Sequence, residues 1–372
     1  MDWARARVSL SILVAILVIS CLASPASPGP PTSDYWVYVV CESADLVQRV
    51  RFGPDGARVD REVEVGRMPV DIDGPHGVDV SADQRFYYVS LAHGRPFGSL
   101  LKYRTDDDSV VGGVDLGMFP ATLQVSRDGN FVFAVNFNLH GDMVPSSVSV
   151  VATDEMVEVA RIPTCTMPHG SRINPQGTRH YSACMMDDIL VEIDTAAFEV
   201  SRTLLVAQTA ENAAGESRSH EHGAGLPTCS PTWAEPSTDG ALVYVACNRS
   251  DEIVEIEIGS WRIRRRLPAG EGVYNLATAG DRLLLATNKR GQSVSVFELP
   301  TGKELARIPT RRRVVHGVAV TPDDRYAFVS VEGVGTEPGT VEVIDLETFE
   351  TAATVDVGAQ AAGIAFWKTS EH

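Results

Sequence analysis

Hydrophobic and polar residues alternate along most of this chain in short runs, and the same arrangement returns seven times. Each unit begins with a short alternating run, turns at Pro, Asp, Gly or Asn, and continues into a run rich in Tyr, Val, Phe and Leu. Examples begin at Pro75, Pro120, Pro168 and Val315. Alternation with a period of two predicts half-buried β-strands, and the turn residues predict hairpins. A repeat of about 45 residues indicates a propeller or a similar array.

Each unit accommodates four strands. In the fourth unit we predict them at 169–174, 178–184, 189–194 and 200–206. The first unit enters at Asp34 with a second-strand pattern at 35–40, and 361–366 supplies the missing first strand. The sequence therefore predicts one all-β domain over 34–368: a seven-bladed β-propeller of four-stranded blades, closed by the C-terminal strand completing the N-terminal blade. An open stack of hairpins is the alternative.

The seventh unit carries a recognisable motif. Residues 316–326 read HGVAVTPDDRY, and Val343-Ile344-Asp345 end its third strand. This pattern resembles the YVTN (YncE-like) seven-bladed propeller repeat family. The resemblance implies the fold for the whole mature domain. It leaves the function open, since relatives include envelope binding proteins, lactonases and domains of haem and copper oxidoreductases.

The N-terminus is typical of a targeting segment. Arg5 and Arg7 precede an apolar run at 8–19, which is shorter than the roughly 20 residues of a membrane span. Residues 18–21, VISC, resemble a bacterial lipobox, so 1–20 is predicted to be a signal peptide, Cys21 to be lipidated, and 21–33 to be a Pro/Ser-rich tether. The predicted location is the bacterial cell envelope. Cleavage near Ala23 or Ala26 would instead give a secreted or periplasmic protein, which is also outside the cytosol.

The formal net charge of −17 excludes a nucleic-acid partner, because phosphate binding needs a basic surface. It is typical of a soluble, self-repelling surface. We expect membrane contact through the lipid anchor only. Nothing in the sequence indicates an oligomer, so a monomer is expected.

Propeller topology places the starts of first strands, the ends of second strands and the crossovers between blades on one face, here called the top face. Most His, Cys and Met residues beyond the signal peptide map to it, whereas His180 does not. These side chains are the ligands of copper and zinc. The proposed ligands are His76, His140, His169 and His316, with Met167, Met185 and Met186 as softer outer candidates.

Two observations leave hydrogen bonding as the alternative to a metal site. The sequence has no ligand-spacing motif of the CxxC or HExxH type and no CxxCH haem motif, so no cofactor is assigned beyond copper or zinc as candidates. Histidines at the rim of a channel can equally form hydrogen bonds with neighbouring loops.

Four cysteines have a competing interpretation. Strand adjacency would bring Cys165 near Cys184, and Cys229 near Cys247, forming one disulfide within each of two blades; Cys184–Cys229 is the alternative pairing. Cys41 is then left over, either buried or as a reactive thiol.

The remaining top-face features are polar. The insert at 207–228 is a surface loop or a lid. Carboxylates and amides on this face would suit calcium or a lactone-hydrolase site: Glu42, Asn136, Asp142, Asp187, Asp188, Asn248, Asn275, Asn288 and Glu332. The first hypothesis is a binding protein that presents its top face to a protein, a glycan or a small-molecule ligand. A copper- or zinc-binding redox protein and a lactonase-like hydrolase are the alternatives.

Overall fold

The computed structural model describes residues 31–67, 71–93, 98–208 and 226–371. The predicted signal peptide, Cys21 and most of the tether and insert lie outside them. The described residues form 28 strands and one 3₁₀ turn, Glu42–Ala44. No helix in these ranges is long and apolar enough to cross a membrane.

The strands form seven four-stranded antiparallel sheets in a ring, as predicted. Blade 1 contains β28 (Ala361–Glu371), β1 (Ser33–Cys41), β2 (Leu46–Gly53) and β3 (Gly56–Glu64). Blade 2 contains β4 (Pro75–Val80), β5 (Phe86–Leu91), β6 (Ser99–Arg104) and β7 (Val110–Asp115). Blade 3 contains β8 (Pro120–Val125), β9 (Phe131–Asn136), β10 (Pro145–Ala152) and β11 (Val157–Thr166). Blade 4 contains β12 (Pro168–Ile173), β13 (Arg179–Cys184), β14 (Ile189–Asp194) and β15 (Glu199–Leu205).

The last three blades repeat the same order. Blade 5 contains β16 (Pro231–Pro236), β17 (Leu242–Cys247), β18 (Glu252–Glu257) and β19 (Arg262–Pro268). Blade 6 contains β20 (Val273–Ala279), β21 (Leu283–Asn288), β22 (Ser293–Glu298) and β23 (Lys303–Pro309). Blade 7 contains β24 (Val314–Val320), β25 (Tyr326–Glu332), β26 (Pro338–Asp345) and β27 (Glu350–Ala359). The strands predicted for blade 4 thus lie within one residue of those observed.

The two ends of the described chain meet in blade 1. Strand β28 pairs with β1 in antiparallel register, with Val37 opposite Phe366 and Tyr38 opposite Ala365. The C-terminal strand completes the N-terminal blade, as predicted, and it runs on to Glu371. Strand β28 pairs with the inner edge of β1, so blade 1 has four strands like the others. Blade 1 therefore fills the ring between blades 7 and 2 and leaves no unpaired edge on β1.

Apolar side chains are buried between neighbouring blades. One cluster joins Val37 and Phe52 of blade 1 to Tyr326 and Phe328 of blade 7. Another joins Tyr38 of blade 1 to blade 2, including Tyr87, which stacks on Tyr38 at a centroid distance of 4.4 Å. The first blade therefore packs on both sides, and closure contributes hydrophobic burial as well as backbone hydrogen bonds.

The first strand of each blade carries a β-bulge near its start. The register shifts between Pro75 and Val78 in β4, between Pro168 and Ser171 in β12, and between Val315 and Val318 in β24. A bulge inserts one unpaired residue and re-aims its side chain. The residue after Pro75, and its equivalent in the other blades, consequently turns towards the channel at the top.

Both disulfides lie within single blades near the top face. The structure joins Cys165 to Cys184 and Cys229 to Cys247, the pairings expected from strand adjacency. Cys41 is free and buried. Burial raises the pKa of its thiol to about 12, so it is protonated near neutral pH. Of the two alternatives for Cys41, the structure favours a buried thiol over a reactive one.

We expect that deleting 361–372 will prevent cooperative folding or lower the melting temperature sharply. The deletion exposes the paired edge and apolar residues of β1. Thermal unfolding followed by circular dichroism, together with gel filtration, measures the effect. A control that deletes only 370–372 should melt close to the full chain, and equal melting of both deletions would contradict the role assigned to closure.

Each disulfide should stabilise the fold by about 3 kcal/mol, since the bonded cysteines are 19 and 18 residues apart. Replacing Cys165 and Cys184 together by Ala should lower the free energy of unfolding by about that amount, measured by denaturant titration. A thiol count in denaturant should find the four paired cysteines only after reduction. Titration of these four thiols in addition to Cys41 without reductant would contradict the pairing.

Candidate functional site

One residue from each first strand lies at the top of the channel, at the same position in all seven blades. It directly follows the last paired residue before the bulge, as His76 follows Pro75. The seven residues are His76, Ala121, His169, Thr232, Tyr274, His316 and Ala362. Four of their rings form a closed cycle. The centroid distances are 6.1 Å for His76–His169, 5.2 Å for His169–Tyr274, 5.0 Å for Tyr274–His316 and 5.4 Å for His316–His76.

Two of these imidazoles are fixed by the backbone of the following blade. The Nδ1–H of His76 donates to the carbonyl of Ala121 at 2.8 Å, and that of His169 donates to the carbonyl of Thr232 at 3.0 Å. A carbonyl oxygen can only accept, so Nδ1 carries a proton in both rings, and in a neutral ring Nε2 then carries a lone pair. The tautomer is thereby set, and Nε2 is the atom left for other contacts.

Glycine after histidine permits this close approach. A Cβ on Gly77 would lie 2.7 Å from the carbonyl oxygen of Ala121, and one on Gly170 would collide with the backbone of Thr232. The glycine of the Pro-His-Gly sequences at 75–77 and 168–170 thus has a packing explanation. The lactonase hypothesis stays a prediction.

The fourth ring, Tyr274, connects the imidazoles to a charged pair. Its hydroxyl donates to Nε2 of His169 at 2.8 Å. The ammonium of Lys289 lies 4.2 Å from the centre of the Tyr274 ring and 3.1 Å from Oε1 of Glu332. Burial lowers the pKa of Lys289, but Tyr274 and Glu332 outweigh it and the pKa is raised. Lys289 is therefore a permanent cation at the site.

Glu42 forms the second ion pair. Its Oε1 lies 2.7 Å from Nε2 of His93, and its Oε2 lies 3.8 Å from Nε2 of His76. Burial raises the pKa of Glu42, but the hydrogen bond from His93 and the proximity of His76 outweigh it, so the pKa is lowered. The same hydrogen bond raises the pKa of His93. Both shifts favour a carboxylate on Glu42 paired with a protonated imidazole on His93.

Two imidazoles face a carboxylate across a gap. The His76–Glu42 gap is 3.8 Å, and Nε2 of His316 lies 3.9 Å from Oε1 of Glu332. Both exceed hydrogen-bond length. Hereafter, the mouth cluster means His76, His169, Tyr274, His316, Lys289, Glu42 and Glu332.

Burial keeps the central imidazoles neutral. It lowers the pKa of His169 to about 3, with a contribution from His76, and lowers the pKa of His316 far below its usual value. The cluster thus combines the neutral imidazoles of His169 and His316 with the carboxyl groups of Glu42 and Glu332 and the ammonium of Lys289. A free imidazole Nε2 can accept a hydrogen bond or bind a cation. The ammonium of Lys289 can donate hydrogen bonds.

The structure separates the predicted metal ligands. His76, His169 and His316 lie together, whereas His140 is exposed, with its ring 5.4 Å from that of His93. Met167 is buried, and Met185 and Met186 pack beside it in an apolar cluster with Phe119 and Phe137. Among the described residues, no group of three or more His, Cys, Asp or Glu side chains is arranged to hold a metal ion.

Several other polar residues on this face have structural contacts. Asn136 accepts from the amide of Gly117 and donates to Ser149. Asp188 accepts from the backbone of Thr228 and Ser230, holding the crossover after blade 4. These contacts favour a structural role for both side chains. The histidines at 220 and 222 and most of the insert lie outside the described residues.

Sequence reasoning missed Tyr274 and Lys289. Tyr274 occupies the repeat position that is histidine in blades 2, 4 and 7, and Lys289 follows the second strand of blade 6 as Glu42 follows that of blade 1. Aligning the seven units by the bulge would have identified both residues.

No family model matches this chain, and no curated protein matches it. Among solved structures, 1538 chains match, so the fold is widespread and does not by itself assign a function. One is titled Kuenenia stuttgartiensis Hydrazine Synthase. It has a TM-score of 0.62 and 19% sequence identity, and the match covers 82% of this chain and 92% of that one. At this identity the likeness shows the fold alone.

The buried histidines should make the fold sensitive to acid. Burial lowers the pKa of His180 to about 3, and neither of its ring nitrogens has a hydrogen-bond partner in the described part of the chain. Below about pH 6.5, His169, His180 and His316 become protonated in the unfolded chain but stay neutral in the folded protein. The free energy of unfolding is therefore at its full value above that pH. Below it, the free energy of unfolding falls by about 1.4 kcal/mol per pH unit for each of these histidines.

His180→Leu should reduce this slope by one histidine between pH 6 and about 4, because it removes one of these groups. Denaturant titrations across that range measure the slope. The exposed His140 provides the control, since His140→Gln should leave the slope unchanged. An unaltered slope in the Leu variant would show that His180 is protonated in the folded state.

Proposed function

We propose that the protein is an extracytoplasmic binding protein, held at the cell envelope by a lipid on Cys21, which binds a small ligand in the mouth cluster. The two imidazole–carboxylate gaps carry the proposal. Each gap is 3.8 to 3.9 Å wide and separates an imidazole Nε2 from a carboxyl oxygen. In the His76 gap Nδ1 donates to the backbone, so the neutral ring presents an Nε2 lone pair to the gap. An atom that bridges such a gap must donate hydrogen bonds or be a cation.

The ligand class follows from this electrostatic character. Sugar hydroxyls or an ammonium group would bridge both gaps, and Lys289 would donate to an acceptor on the same ligand. The rings of His76 and Tyr274 would contribute flat faces of the kind on which sugars and amines pack. A small polar molecule rich in donors, such as a monosaccharide or an amino sugar, is the proposed ligand.

Copper or zinc is the second candidate. Hydrogen bonds from Nδ1 to backbone carbonyls, as in His76 and His169, are the usual second-shell support of metal-binding imidazoles. This set of metal ligands differs from the one predicted from the sequence. His169 accepts from Tyr274 and His140 lies outside the cluster, so His76 and His316 with Glu42 and Glu332 would be the ligands. With bonds of about 2.1 Å, the width of each gap is close to the separation of two ligands on one ion. All four ligands would have to converge further to share an ion, since the described residues hold no group of three so arranged.

Calorimetry with a panel of monosaccharides and amino sugars tests the first candidate. Glu42→Gln and His76→Asn should each weaken binding by about tenfold or more, since each removes a hydrogen bond to a charged or buried group. The exposed His140→Gln variant should bind normally. Absence of binding across the panel, or binding that neither cluster variant affects, would contradict the proposal.

Elemental analysis of protein produced with added copper and zinc separates the two candidates. Near-stoichiometric metal that is lost in His76→Asn and retained in His140→Gln would establish the second. Metal absent from the purified protein after supplementation would remove it, leaving the donor-rich ligand to be tested on its own.

A further inference from the structure

The opposite end of the channel has a second ring of equivalent positions, three residues further along each first strand. The ring is divided by chemistry. Blades 2 to 5 contribute polar residues and blades 6, 7 and 1 contribute alanine: Asp79, Gln124, Arg172, Glu235, Ala277, Ala319 and Ala365. A cavity of about 270 Å³ lies among them, also bordered by Thr278, Val320 and Phe366. It is called the lower vestibule.

Arg172 is the central charged group of the lower vestibule. Its guanidinium stacks on the Trp233 ring at 4.4 Å, which fixes the plane of the group. Nη1 donates to the carbonyl of Ser171 at 2.9 Å, and Nε is 3.7 Å from Oε2 of Glu235. Nη2 has no partner in the described part of the chain. A preorganised guanidinium with unused donors therefore borders the cavity.

Two other donors are also unused. The amide oxygen of Gln124 accepts from the backbone of Ile173 at 2.6 Å, so its NH₂ group is on the other side of the amide, and no described residue accepts from it. The hydroxyl of Thr278 likewise makes no hydrogen bond within the described ranges. Both residues border the cavity. The lower vestibule thus offers unused donors from blades 3, 4 and 6.

Each of the two carboxyl groups has one oxygen in a hydrogen bond. Oδ2 of Asp79 accepts from the backbone of Val125 at 2.8 Å, and Oε2 of Glu235 accepts from the Trp233 indole at 3.3 Å. Burial raises the pKa of Glu235 to about 7 and also raises the pKa of Asp79, which favours the uncharged form of both carboxyl groups. The unused donors of Arg172, Gln124 and Thr278 favour an anionic ligand over a cationic one.

The other half of the lower vestibule is apolar. The three alanines leave room, and Val320, Ile364 and Phe366 form the wall behind them. An anion bound at Arg172 would face this wall across the cavity. Burying an apolar body against it would add favourable binding free energy in proportion to the apolar area removed from water.

We propose that the lower vestibule binds a small carboxylate with an apolar body, its carboxylate on Arg172 and its body against the alanine half. The site is separate from the mouth cluster and does not depend on its function. Gln124 and Thr278 would donate to the same carboxylate. The guanidinium fork matches carboxylate geometry, which makes Arg172 the residue that determines the ligand class.

Calorimetry with benzoate and benzylamine on the full-length mature protein tests the site, since the two probes share a ring and differ in charge. Benzoate should bind and benzylamine should not. Arg172→Gln should weaken benzoate about tenfold or more, the effect of losing a charge-assisted hydrogen bond. Thr278→Val, which removes only a hydroxyl, should weaken it a few-fold and keeps the test valid if the Arg172 variant does not fold.

His76→Asn in the mouth cluster is the matched control and should leave benzoate affinity unchanged. Preference for benzylamine would overturn the proposed charge selectivity. Benzoate binding lost in His76→Asn and unaffected by Thr278→Val would place the probe at the mouth cluster and refute this site. Absence of benzoate binding at millimolar concentration would refute it as well.

Discussion

The pairing of β1 with β28 joins residues more than three hundred positions apart in sequence, and the geometry of both ends of the channel depends on it. Without that pairing the seven first strands would form an open arc, and His76 would not be held against His316. The pairing is stabilised on both sides because blade 1 contributes to apolar clusters with blade 7 and with blade 2. Backbone hydrogen bonds set the register, and the buried aromatic rings make the register specific.

Ring closure converts a local sequence repeat into a spatial one. Each first strand places one residue at the mouth and another at the bottom, so seven blades specify two rings of seven residues. At the mouth, the bond from Nδ1 of His169 to the backbone of Thr232 links neighbouring blades and also fixes which nitrogen is free. At the bottom, Asp79 and Gln124 similarly accept from the backbone of the next blade. Packing and ligand chemistry are therefore served by the same residues.

The repeat alone predicted the ring, the clasp and blade 4 to within a residue, because period two and turn chemistry are local signals. It did not predict which side chains would meet. The bulge after Pro75, Pro168 and Val315 breaks the alternation at the positions where the site begins, so extrapolation along the strand fails there. His140 was placed correctly on the top face but lies in a loop, whose path the pattern does not determine.

The two ends of the channel differ in polarity, and its middle keeps them apart. Acceptors dominate the mouth cluster, whereas free donors dominate the lower vestibule around Arg172. Between them Thr122, Trp233 and Asn275 border a space of only about 20 Å³, enough for about one water molecule. Arg172 borders this space as well as the lower vestibule, and His76 and His316 border it too, so the polar groups that line this narrow segment connect the two proposed sites.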